Sequence, residues 1–268
     1  MGSWQDAPVF FSLSSWALAL ILLAAIVGTT VAGLVAGGHL RKRGDSLREP
    51  FGVLQAATLG IVGLLLAFGL SLAIGRYEMR RAAVVADANA IGTTYLRAQT
   101  LAEPVRTRSL DLLRRYTDEA IQISHEVPGS AGMRRTAAAQ EVLQRRLWGL
   151  AGQALDDAPV ASAPRLYVDS LNAMIDQQTV RISALNNRVP GTVLVLEVVA
   201  SALALGLLAL YLSLLGRGPV TVLFAAALVT MLLFVTFDLD RPTRGMITVP
   251  DTPLTSLEAS MALPPAAD

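Results

Sequence analysis

Four long stretches of this chain are almost free of charge, and that feature limits what it can fold into. Ala7 to Leu40 is 34 residues without Asp, Glu, Lys or Arg, Phe51 to Gly75 is 25, and Gly218 to Phe237 is 20. Val189 to Gly216 is 28 residues with one charge, Glu197. Each stretch reaches the ~20 apolar residues that a helix needs to cross ~30 Å of hydrocarbon. None alternates polar and apolar residues as a barrel strand does. Nearly all 43 charges therefore fall on the other 161 residues, a density ordinary for water-exposed protein and wrong for these four runs. The expected fold class is an all-α integral membrane protein, multi-pass in a cell membrane. Its four transmembrane helices lie near residues 10–37, 51–75, 190–216 and 218–237.

The polar remainder divides the chain. Residues 1–75 read as a transmembrane hairpin with a basic turn, Arg41-Lys42-Arg43, between its spans. Residues 76–188 read as an extramembrane helical bundle, 189–237 as a second hairpin turning at Arg217, and 238–268 as a C-terminal corner with a mostly irregular, proline-rich tail. The breakers inside the middle segment are Pro104, Pro128-Gly129, Pro159 with Pro164, and Pro190. Between them apolar residues recur at spacings of three and four, as along Val84, Ala88, Ile91, Tyr95 and Ala98, or Val168, Leu171, Ile175, Gln178, Ile182 and Leu185. That rhythm places them on one stripe of a helix. No proline interrupts Phe51 through Glu103, so the second span is expected to continue unbroken into the first bundle helix.

Catalytic patterns are missing. His39 and His125 stand apart, and there is no phosphate-cradling glycine loop, nucleophile elbow or H-E-x-x-H pair. The reading is a non-enzyme with no catalytic residues, no cofactor and no metal. A net charge of +1 offers nucleic acid no basic surface, and the chain has no cysteine.

Some residues inside the spans invite a functional reading. Glu197 lies seven positions past Pro190, about 10 Å into the bilayer by helical rise. An acid at that depth is costly and suggests an ion path or a buried partner, unless it reaches the interface. The second span has two faces. Gly52, Ala56, Gly60, Gly63 and Ala67 form a small-residue side suited to close helix approach. Gln55, Thr58, Val62, Leu65, Gly69 and Leu72 form the other, read either as a pore lining with an apolar gate at Val62 and Leu65 or as a packed face. Gly33-x-x-x-Gly37 in the first span is a frequent helix-packing motif and also suggests self-association. Two polar clusters follow spans two and four: Arg76, Arg80, Arg81, Asp87 and Asn89, and Asp238, Asp240, Arg241 and Arg244. They read as a salt-bridge layer or as a charged vestibule. Lys and Arg counts at the two sides of the membrane pull the topology in opposite directions.

The run Phe68-Gly-Leu-Ser-Leu-Ala-Ile-Gly-Arg-Tyr-Glu-Met-Arg-Arg, followed by Ala86-Asp-Ala-Asn-Ala-Ile-Gly-Thr-Thr-Tyr-Leu-Arg, resembles a signature of the bacterial bestrophin-like membrane proteins. The corner Asp238-Leu-Asp-Arg-Pro-Thr-Arg-Gly-Met-Ile, with Pro253-Leu254 beyond it, resembles their second signature. Arg145 to Gly149, with Trp148, is similar to a weaker third. Asp87 stands where that family more often has Glu. The resemblance implies a distant relation to bestrophins, pentameric ion channels with the second span lining the pore. Its implied partners are the lipid bilayer, further copies of the chain and an inorganic ion, with no nucleic acid. The alternative is a membrane-anchored sensor or scaffold whose helical bundle binds a ligand or a partner protein.

Overall fold

The computed structural model describes residues 14–41, 48–216 and 219–263. Lys42, Arg43, Arg217, Pro264 and Pro265, and the expected start of span one at residue 10, lie outside the described residues. Among the described residues there are eight helices and no strand: α1 (Ser15–Leu40), α2 (Arg48–Ala98), α3 (Val105–His125), α4 (Ala131–Asp157), α5 (Ser162–Asn186), α6 (Gly191–Leu214), α7 (Val220–Leu239) and α8 (Thr252–Met261). Four helical segments, Trp16–Leu40, Glu49–Ala98, Ser162–Leu214 and Val220–Leu239, are long and apolar enough to cross a membrane. The protein is an all-α, four-span membrane protein. Its second span does continue past the apolar stretch, within a single helix of 51 residues.

The chain groups into two compact units, residues 1–76 with 188–247, and residues 77–187 with 248–268. In the first unit α1 packs on α6 through glycines. A Cβ on Gly33 would overlap the main-chain oxygen of Gly206, and one on Gly37 would lie 2.5 Å from the Leu210 carbonyl oxygen. Ser213 Oγ donates to Leu34 O at 3.0 Å across the same seam. This corrects the reading of Gly33 and Gly37 as a self-association face. Both glycines are taken up inside the subunit, where missing side chains let two backbones touch. The outward surface is apolar, as hydrocarbon demands: Leu20, Val35, Leu203, Phe224 and Leu228 are all exposed.

In the second unit the expected stripes turn inward. Val84, Ala88, Ile91, Tyr95 and Ala98 of α2 are buried with Leu113 and Tyr116 of α3, Leu143 and Leu147 of α4, and Leu171 and Met174 of α5. Helix ends follow ordinary chemistry. Ser130 Oγ accepts from Met133 N at 3.0 Å to start α4, and Gly129 adopts a φ of 77° in the turn before it, a conformation that favours glycine. Two proline readings are corrected. Pro164 lies in the first turn of α5, where its missing N–H has no helical partner to lose. Nor does every proline of the tail break structure: α8 starts at Thr252 with Pro253 in its first turn. It buries Leu254 and Met261 in the unit's core.

Candidate functional site

An apolar helix shows which way it faces only when it is packed. Along the second span Val62, Leu66 and Ala73 are buried in the subunit, Val62 at 4% exposure. Gly69, on the same side, is also buried. Val62 and Gly69, two of the residues expected to line a pore, are thus packed inside the subunit. Of the remainder, Gln55, Thr58 and Leu65 are half-buried and Leu72 is exposed. The Thr58 hydroxyl donates to Leu54 O at 2.7 Å, so that polar group is satisfied by its own helix.

Among the described residues, the opposite side of the span has no partner within the subunit. At ~100° per residue, the line facing away from Val62 and Ala73 runs through Val53, Gly60, Leu64, Phe68 and Ser71. Leu64 is 58% and Phe68 61% exposed. Beside that line lie Ala56, Gly63 and Ala67, also exposed. A Cβ on Gly60 or Gly63 would meet nothing within 4 Å. The span therefore offers a ridge of large apolar side chains flanked by a smooth strip of small ones.

Spans two and three lie antiparallel. Gly52 faces the Tyr211 ring, its Cβ position 3.1 Å from the hydroxyl. Gly69 faces Glu197, and a Cβ there would overlap the carboxyl group. Glu197 is 1% exposed, and neither carboxyl oxygen has a hydrogen-bond partner. One turn further along α6, Ser201 Oγ is buried without a partner as well.

The polar clusters are placed as follows. Asp87 is fully buried and bonded to Arg181 Nη1 at 2.8 Å. Arg181 also donates to Ala120 O at 2.8 Å and Ser124 Oγ at 2.6 Å. Burial pushes the Asp87 carboxyl up, and the adjoining guanidinium works against that rise. Arg80, buried, donates to Ala184 O and to Asn187 O at 2.8 Å, closing the end of α5. Arg81 pairs loosely with Glu78 at the surface, Asn89 is exposed and Arg76 is half-buried. In the other cluster Asp240 Oδ1 accepts from Val189 N at 3.0 Å, and Asp238 Oδ2 accepts from Ile247 N at 2.8 Å. Gly245 lies against Asp238, each nearest atom 2.9 Å from where a Cβ would stand, so the corner closes only on glycine. Arg241 is buried, which pulls its guanidinium down, while Asp238 opposes the change. Arg244 is exposed.

Arg181 is the functional-looking residue that sequence reasoning passes over. Its signal is positional: Leu171, Met174, Gln178, Arg181 and Leu185 form the most buried line of α5. Beside it, Gln178 Nε2 donates to Gln140 Oε1 at 2.8 Å and Gln144 Nε2 donates to Gln178 Oε1 at 3.0 Å. These polar groups hold the second unit together. Among the described residues no three His, Asp or Glu side chains gather to hold a metal ion.

Comparison with known proteins agrees with this architecture. The Bestrophin-like domain model matches residues 19–254. A bacterial bestrophin homologue from Klebsiella pneumoniae superposes with a TM-score of 0.67 at 14% identity, over 90% of this chain and 96% of that one. A point mutant of the Klebsiella pneumoniae homologue gives 0.66 at 14% identity, over 90% and 97%. No curated protein matches the sequence.

Proposed function

The chain belongs to the Bestrophin-like family, and on that footing we propose that several copies assemble in the bilayer into an ion channel lined by the second span. The observation that carries the reading is the ridge of Leu64 and Phe68, which points away from the subunit's own body. In a ring of identical subunits, the side of a helix opposite its own subunit faces the common axis. The sides adjoining it meet the neighbouring copies. Gly60, Leu64 and Phe68 then line the axis at one-turn intervals, while Ala56, Gly63 and Ala67 let the next copy approach closely. Rings of Leu and Phe form an apolar constriction that closes by expelling water. The inorganic ion is the permeant species, and the charged ends of the spans influence its sign.

The test is conductance of the purified protein in planar bilayers, comparing wild type with Leu64→Ala and Phe68→Ala. Widening an apolar ring raises conductance or open probability, whereas trimming a side chain that touches lipid changes neither. Silence of all three proteins, folded and reconstituted, overturns the channel in favour of a membrane-anchored scaffold.

A further inference from the structure

Glu197 is unexplained by a pore at Leu64 and Phe68. It is buried on the other side of the second span, both carboxyl oxygens lack a partner, and it fills the recess left by the missing side chain of Gly69. We propose that Glu197 is an intramembrane proton-binding site whose occupancy sets how closely spans two and three pack.

Little around the acid can carry a charge. The membrane stretch of α2, residues 51 to 75, contains no ionisable side chain. The ionisable side chain of α1 is His39, in its last turn and hydrogen-bonded to Val35 O. On α6 the other is Tyr211, which faces Gly52, some 14 residues or about 21 Å of helix away. On α7 it is Asp238, engaged with Ile247 N at the end of that helix. No cation on these elements faces Glu197, and no donor hydrogen-bonds it. An ionised carboxylate in such a place costs several kcal/mol. The neutral acid costs much less. A Ca²⁺ or Mg²⁺ ion would need about six oxygen ligands, and here one carboxyl group and the Ser201 hydroxyl are the unsatisfied oxygens. A proton is the ligand this site suits.

Gly69 supplies the coupling. The carboxyl occupies the space where a Cβ would stand, so no water fits between it and the second span. Loss of the proton creates a charge that must be hydrated. Hydration requires either withdrawal of the side chain or separation of the two helices at Gly69. A rise in pH therefore loosens this contact. This loosening is a change in helix packing and occurs whether or not the protein conducts.

The chain has no native cysteine, so single cysteines report local water access. Ala73, fully buried one turn beyond Gly69, is replaced by cysteine in wild type and in Glu197→Gln, and both are reconstituted in nanodiscs. Infrared spectra of the wild-type chain at neutral pH are expected to contain a protonated-acid carbonyl band that Glu197→Gln lacks, and that band is lost on raising the pH. Over the same range, labelling of Ala73→Cys by a membrane-impermeant maleimide accelerates more with Glu197 present than with Gln. Leu70→Cys, half-buried on the same span, serves if Ala73→Cys does not fold. Absence of the band at every pH where the protein is folded overturns the proton site. Carboxylate bands that shift when sodium replaces choline also overturn it, identifying a cation site instead. A titrating band with labelling that rises equally in both backgrounds overturns the coupling.

Discussion

Gly33 of the first span lies against the carbonyl oxygen of Gly206 in the third, with no room for a methyl group between them. The contact is backbone on backbone, so neither side can yield by turning a side chain. Gly33→Ala must push the helices apart, an overpacking cost of about 1–3 kcal/mol. The gain in helix propensity, about 1 kcal/mol for Gly to Ala, offsets only part of it. Thermal unfolding in detergent should show a lower Tm for Gly33→Ala. Gly28→Ala, whose Cβ would meet nothing within 4 Å, should leave Tm unchanged or raise it.

Gly63 gives the opposite kind of test, because among the described residues nothing lies within 4 Å of where its Cβ would stand. Gly63→Leu should leave helicity and subunit unfolding intact while shifting the assembly toward monomers. Mass photometry of the detergent-purified protein measures the shift. A wild type that is monomeric in a mild detergent and in nanodiscs would remove the basis for a multi-subunit pore.

Asp87 and Arg181 form a buried pair at 2.8 Å with almost no solvent exposure. Asp87→Asn leaves the guanidinium without its counter-charge, and breaking such a pair typically costs about 3–5 kcal/mol. The paired change Asp87→Leu with Arg181→Met removes both charges and should recover most of that loss. Chemical unfolding of the full-length protein compares the two. Equal destabilisation by both would mean that shape at this site matters more than charge.

Glu103 starts α3 from the surface. Its carboxylate accepts from Thr107 Oγ1 at 2.9 Å, Arg106 Nε at 2.8 Å and Thr107 N at 3.2 Å. Those bonds, the Thr107 hydroxyl first and Arg106 next, hold its pKa below the ordinary glutamate range. A depressed folded-state pKa means that the contribution is complete above the unfolded value and is lost as pH falls through the folded one. Amide exchange at Thr107, corrected for its intrinsic pH dependence, should therefore accelerate on acidification below the ordinary carboxylate range. In Glu103→Gln that acceleration should disappear.

Span positions and the apolar stripes of the helices between spans two and three were legible because burial in each environment writes a local pattern. A span needs an uncharged run, and a bundle helix needs apolar residues every three or four positions. The corner at Asp238 to Gly245 was legible through Pro242 and Gly245, whose backbone chemistry is also local. Inside an apolar span that logic fails. Val62 and Leu64 are equally compatible with lipid, protein or a dewetted pore, so the stripe drawn through Val62 and Gly69 fell on the subunit's interior. Gly33 and Gly37 promised a close helix approach without naming the helix approached. Pro253 looked like a breaker and proved to lie in the first turn of a helix that covers the second unit.

Composition and periodicity alone thus determined that this chain is an all-helical, four-span membrane protein with a polar helical segment between its second and third spans. The tertiary structure decided which face of the second span is left free and that Asp87 is held by Arg181, 94 residues away in sequence. It also decided that Glu197 meets Gly69. Those facts depend on which helices become neighbours and at what rotation, and hydrophobicity by itself encodes neither.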